Sequence, residues 1–147
     1  MKLAGGPSDT FGSDASQKGL ATPILIVDDD PPILRAVRRI LEHADYVVLT
    51  SPSGDHAWHA IELGRARVDL VLTDIVMPGS IDGLALAVKV RQRELKLPVL
   101  FMTGALPEGA ERLAEITREK LLLRKPFSPK QLLEFIDSHF YGAGAGD

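Results

Sequence analysis

Three acids in a row, Asp28, Asp29 and Asp30, follow an apolar run in ILIVDDDPP, and a further acid, Asp74, closes the run in DLVLTDIVMP. Two more apolar runs end in different chemistry, VLFMTG in Thr103 and LLLRKPF in Lys125. If these runs lie side by side and point the same way, their last residues meet at one edge. That edge gathers several carboxylates, a hydroxyl and an ammonium. Clustered carboxylates repel by about 4 kcal/mol per pair at ~4 Å and an effective dielectric of ~20. Such a cluster must take up a proton or recruit a cation. Hard oxygen ligands without His or Cys suit Mg²⁺, which keeps several waters and needs few protein ligands. A divalent cation beside a lysine and a hydroxyl is a place for a phosphoryl group. The cation and Lys125 spread its charge, and Thr103 offers a hydrogen bond. Asp74 then has the surroundings of a nucleophile that forms an aspartyl phosphate.

The elements between these residues alternate. Apolar strands are expected at Ile24–Val27, Tyr46–Thr50, Val68–Thr73, Pro98–Met102 and Leu121–Arg124. Helices are expected from Pro31 or Pro32 to about His43, from Ser53 or Gly54 to near Gly64, and from Gly83 to about Leu95. Two more are expected over Pro107–Glu119 and Ser128–Phe140. In the first helix Ile33, Leu34, Val37, Ile40 and Leu41 recur at helical spacing, while Arg35, Arg38, Arg39 and Glu42 fall elsewhere. Proline suits a first helical turn, where its missing N–H had no partner. Ser128 is read as the cap before Pro129, Asp82 as a loop acid and cap, and Asp30 as the capping member of its triplet. Strands that are apolar throughout are buried on both faces, as in a parallel sheet covered by helices. Right-handed crossovers then give a doubly wound α/β domain, whose function collects at the carboxyl ends of the strands.

Composition narrows the classes. The chain has 147 residues, enough for one domain with a sizeable core. It has no cysteine, which excludes a disulfide scaffold or a thiolate metal site. The formal net charge of −3 gives no global reason to expect nucleic-acid binding. No apolar run approaches the ~20 residues of a membrane span, and the N-terminus lacks the apolar stretch of a secretory signal. A cytoplasmic protein without membrane insertion is the default. Residues 1–21 and 142–147 are read as flexible tails around one domain at 22–141, because they carry too few apolar residues to offset chain entropy.

Taken in order and at these separations, LIVDDD, DLVLTDIVMPGSIDG, VLFMTG and LRKPF resemble a response-regulator receiver domain of two-component, histidine–aspartate phosphorelay signalling. The resemblance covers about residues 23 to 140. It implies a flavodoxin-like (βα)5 fold, a five-stranded parallel sheet with helices on both faces. It implies Asp74 as phosphoacceptor and Asp28 and Asp29 as the acidic pair, with Asp29 preferred as the direct Mg²⁺ ligand. The backbone carbonyl of Val76 is the implied third protein ligand. Thr103 matches the switch hydroxyl, Lys125 the phosphate-binding lysine, and Pro126 the proline whose peptide bond is often cis. The implied partner is a histidine kinase or a histidine phosphotransfer protein. Arg35, Arg38 and Arg39 border the site where such a partner docks, with Gly104 leaving room for the phosphodonor and Pro126 beside it.

The sequence departs from the common pattern. MPGSIDG is one residue longer than the usual turn, as in receivers attached to sensor kinases. Leu122 stands where an aromatic switch residue is usual. Val76 and Ala105 stand where side chains often tune dephosphorylation, and neither can orient a water, so slow self-dephosphorylation is expected. No output domain fits within the chain, so a stand-alone receiver and one excised from a hybrid kinase both remain open. Two other functions compete. A small phosphatase of the haloacid-dehalogenase type would use Asp28 as nucleophile, but Pro31-Pro32 and the residues after Lys125 depart from its motifs. An unphosphorylated receiver-like adaptor would need none of the site residues. His56 and His59 are read as non-ligands, His43 and His139 as surface residues, and Trp58 as packing.

Overall fold

The computed structural model describes residues 23–64, 67–93, 95–104 and 120–142. The sheet consists of β1 (Pro23–Val27), β2 (Val47–Ser51), β3 (Leu70–Asp74), β4 (Val99–Thr103) and β5 (Leu122–Arg124). Among the described residues the helices are α1 (Pro31–His43), α2 (Gly54–Glu62), α3 (Gly83–Gln92) and α4 (Pro129–Asp137). A π-helical turn, Ser138–Gly142, follows α4. Residues 1–21 and 143–147 of the expected tails and the helix expected at Pro107–Glu119 lie outside the described residues, as does Ala105, while Gly142 closes the π-helical turn rather than opening the tail. Every strand pair is parallel, in the order β2-β1-β3-β4-β5. This is the doubly wound order that reverses beside the first strand, and the crevice at that reversal is where such sheets carry function.

Period-two alternation along the central strands divides the core between the two faces. Ile24, Ile26, Leu70, Leu72, Leu100 and Met102 pack with Val37 and Leu41 of α1 and Leu132 and Ile136 of α4. Their neighbours Leu25, Val27 and Val71 point the other way, against Ala57, Trp58 and Ile61 of α2 and Leu86 and Val90 of α3. Helices therefore cover both faces, and β1 and β3 are buried almost throughout. The expectation of burial on both faces fails at the edges. Leu49 of β2 is 40% exposed, and β5 has no fully buried residue. These are the outer strands, each with one neighbour, so the helices cannot cover them fully.

Several boundaries move by a residue or two. β3 and β4 run on to include Asp74 and Thr103, because the ladder continues with Ile75 N–H donating to the Met102 carbonyl at 3.2 Å. β2 starts at Val47, after Asp45 takes a left-handed φ of 71°. α2 stops at Glu62, short of Gly64 at φ 70°, and α3 stops at Gln92. α4 ends at Asp137 and the chain then widens into the π-helical turn, where Phe140 stacks on Tyr46. The caps at Ser128 and Asp82 form as expected: Ser128 makes a capping box with Gln131, and Asp82 accepts from Ala85 N–H at 2.8 Å. Asp30 occupies the cap position of α1, but its side chain makes no capping bond.

Candidate functional site: a carboxylate cluster with a lysine at the sheet edge

Asp28 is the first residue past β1. Its N–H donates to the Ser51 carbonyl at 3.1 Å, which carries the β1–β2 ladder one step further and turns its carboxylate into the edge. There it is fully buried, and its Oδ1 accepts from Asp30 N–H at 2.9 Å. The Asp30 side chain itself has little to cap, because Pro31 and Pro32 open α1 and carry no N–H. Asp29, between Asp28 and Asp30, is exposed. Asp74, at the end of β3, is 8% exposed. One oxygen from each of Asp28, Asp29 and Asp74 lies within 4.8 Å of the other two. The acids do meet.

Lys125, just past β5, reaches into the cluster. Its Nζ lies 2.8 Å from Asp28 Oδ2 and 3.5 Å from Asp74 Oδ2. The backbone sets this up, with Lys125 N–H donating to the Thr103 carbonyl at 2.8 Å. The Lys125–Pro126 peptide is cis. Thr103 ends β4 beside it, 1% exposed and in register with Arg124. Gly104 follows, and a Cβ placed there would touch Lys125 Cβ at 3.8 Å, an ordinary contact. The electrostatics follow from burial. Desolvation pushes the Asp74 carboxyl above its usual range and Asp28 adds to this, while Lys125 pulls it back without cancelling the rise. Desolvation pulls the Lys125 ammonium down, but Asp28 and Asp74 together outweigh it and hold the ammonium above its usual range. Lys125 thus stays a cation, one positive charge against three acids.

The loop after Asp74 folds back tightly. Gly83 N–H donates to the Ile75 carbonyl at 3.0 Å, and a Cβ at Gly83 would sit 2.1 Å from the Asp74 carbonyl oxygen. Only glycine permits that approach. Val76 is 53% exposed next to the cluster. Arg35, Arg38 and Arg39 are exposed on α1, and Arg38 pairs with Glu42 one turn on at 3.1 Å. Pro126 is exposed beside Lys125. The histidines stay outside the cluster. His56 Nδ1 lies 2.6 Å from Ser51 Oγ, and His139, half-buried rather than on the surface, lies 2.8 Å from the Phe135 carbonyl. Trp58 packs under Lys89 and Arg93. Sequence reading missed Ser51, whose carbonyl orients Asp28 across a gap in sequence that carries no periodic signal. A groove of about 480 Å³ lined by Leu84, Arg91, Pro98, Phe101 and His139 runs beside the amino-terminal half of β4 and shares no residue with the cluster.

Residues 24–137 match the family described as the response regulator receiver domain. The chain belongs to that family, the receiver domain of two-component response regulators. It is 30% identical over 109 residues to the alkaline phosphatase synthesis transcriptional regulatory protein PhoP of Bacillus subtilis, covering 74% of this chain and 44% of that protein. It is 35% identical over 115 residues to the transcriptional regulatory protein ResD of the same species, covering 76% and 45%. The chain therefore spans less than half the length of these curated relatives. Among solved structures it is similar to a CheY-like response regulator receiver domain protein of Methanospirillum hungatei, at TM-score 0.70 and 26% identity over 86% of this chain and 98% of that one. Chemotaxis response regulator CheY4 of Vibrio cholerae matches at TM-score 0.66 and 27% identity, over 79% and 96%. The phosphatase alternative gains no support from this family. Its nucleophile, Asp28, is fully buried and bonded to Lys125. Among the described residues no helix is long and apolar enough to cross a membrane.

Proposed function

We propose that the chain is a phosphorylation switch that takes a phosphoryl group from a phosphohistidine onto Asp74. The observation that carries this reading is Lys125 bridging Asp28 and Asp74 at a three-carboxylate edge. An Asp74 oxygen attacks phosphorus in line, the P–N bond to the donor imidazole breaks, and the imidazole keeps the electron pair. Lys125 moves from pairing carboxylates to pairing a phosphoryl oxygen, and Thr103 donates its hydroxyl to another. The donor set fits a hard divalent cation, since it is all oxygen and includes the exposed Asp29. Asp28, Asp29, Asp74 and the Val76 carbonyl would hold Mg²⁺, which when bound offsets the negative charge that the phosphoryl oxygens bring. The chain thus promotes its own phosphorylation and turns over no external substrate. The donor is a histidine kinase or a phosphotransfer protein, docking over α1 with Arg35, Arg38 and Arg39 and approaching past Gly104 and Pro126.

A phosphotransfer assay tests this. A phosphohistidine-bearing donor should pass its label to the chain, giving an adduct that alkali removes, as it does an acyl phosphate. An alkali-stable or hydroxyl-linked adduct would contradict the reading.

A further inference from the structure

The lengthened turn after Asp74 is fastened to α2 by one side chain. Asp55, in the first turn of α2, accepts from Ser80 Oγ at 2.8 Å with one oxygen and from Ser80 N–H at 3.2 Å with the other. Gly79, beside Ser80, has φ 104°, and a Cβ there would lie 2.7 Å from Asp55 Oδ2. The glycine thus lets the carboxylate lie against the backbone of the turn. The same helix end meets the turn a second time: a Cβ on Gly54 would sit 2.0 Å from the Ile81 carbonyl oxygen. Met77 and Ile81 anchor the turn below, packed in the cluster that includes Ala57 and Trp58 of α2. The stretch with the extra residue is therefore clamped to α2 rather than left as a loose bulge.

We propose that Asp55 is a positioning residue for the phosphoryl site. By holding Gly79 and Ser80 it fixes the turn that begins at Val76, and so sets how well the Val76 carbonyl and Asp74 are presented together to a divalent cation. This rests on the switch reading above. Asp55 touches neither the acids of the cluster nor Lys125; its action passes through the backbone of residues 76–80. Partners bonded directly to a metal's ligands are worth roughly 10–100-fold in affinity when removed; Asp55 acts one step further out, through the turn, so an effect at the low end of that range is expected.

The test is Mg²⁺ titration by calorimetry on wild type, Asp55→Ala, Asp55→Asn and Ser80→Ala. It is paired with rates of phosphorylation by acetyl phosphate across Mg²⁺ concentrations and with thermal unfolding in EDTA. Asp55→Ala should weaken Mg²⁺ binding by about tenfold. The phosphorylation rate should recover at saturating Mg²⁺, and Asp55→Asn, which keeps one acceptor, should fall between. In the Asp55→Ala background, Ser80→Ala should have no further effect. Unchanged Mg²⁺ affinity in Asp55→Ala, with wild type binding and reacting normally, overturns the positioning role alone, even if stability falls. A wild type that neither binds Mg²⁺ nor takes a phosphoryl group overturns the switch reading beneath it.

Discussion

Replacing Asp74 with asparagine should stabilise the protein in metal-free buffer, although it removes a side chain at the centre of the site. The cluster sets the magnitude. Asp28 and Asp74 oxygens lie within 4.8 Å of each other, and at an effective dielectric of ~20 such a pair repels by about 3.5 kcal/mol. The exposed Asp29 adds a smaller, water-screened repulsion. Lys125 at 3.5 Å returns about 5 kcal/mol by the same relation, so the charge contributions nearly cancel. What remains is the desolvation of Asp74, the largest cause of its raised pKa. Each pKa unit of such a rise corresponds to about 1.4 kcal/mol against the charged form, and asparagine, being neutral, is spared that cost. Urea unfolding in EDTA at neutral pH should therefore show Asp74→Asn more stable by about 1–2 kcal/mol, or several degrees in Tm. The sign with pH follows from a folded-state pKa raised above the ordinary carboxylate value of 3.8. The ionised acid costs stability above the folded pKa, and this cost disappears as pH falls through that pKa towards 3.8. The advantage of asparagine should shrink over the same window. Adding Mg²⁺ should reverse the order, because a ligand at a hundred times its Kd stabilises the protein that binds it by about 2.7 kcal/mol. Equal or lower stability of Asp74→Asn in EDTA, or a gap that Mg²⁺ leaves unchanged, would refute the reasoning.

Other perturbations have signs fixed by the same contacts. Lys125→Met leaves the fully buried Asp28 unpaired, so it should destabilise the metal-free protein by about 3 kcal/mol; adding Asp28→Asn should recover most of that, as measured by urea unfolding. The phosphorylated protein should lose its phosphoryl group over minutes or longer, since the exposed Val76 carries no group to orient water; a half-life of seconds, read by mass spectrometry after donor removal, would contradict this. Charge reversal at Arg38 and Arg39 should slow transfer from a phosphohistidine partner but not from acetyl phosphate, and equal slowing of both would remove α1 as the docking surface.

The fold was legible because the strands are short apolar runs that each end in a polar residue, and because α1 and α4 open with proline after Asp30 and Ser128, residue types that suit the cap position. The site was legible for the same reason: parallel strands bring their carboxyl ends together, so Asp28, Asp74, Thr103 and Lys125 could be placed on one edge without coordinates. Boundaries slipped where the ladder outran the apolar run, as at Asp74 and Thr103. The exposure of Leu49 could not be read, because sequence does not say which strand lies at the edge of the sheet. Asp30 was misread as the working cap because the Pro31-Pro32 pair that marks the helix start also removes the first two N–H groups of the helix that a cap would serve. The Asp55–Ser80 clamp joins residues 25 apart, and nothing in either local pattern points to the other.

The central claim is that Asp74 is the phosphoacceptor of this edge. Intact-mass spectrometry after incubation with acetyl phosphate and Mg²⁺ tests it most directly, with Asp74→Asn and an EDTA control alongside. A single Mg²⁺-dependent phosphoryl adduct on wild type, absent from Asp74→Asn, is the predicted result. An adduct that persists in Asp74→Asn would contradict the claim and move the chemistry to another residue.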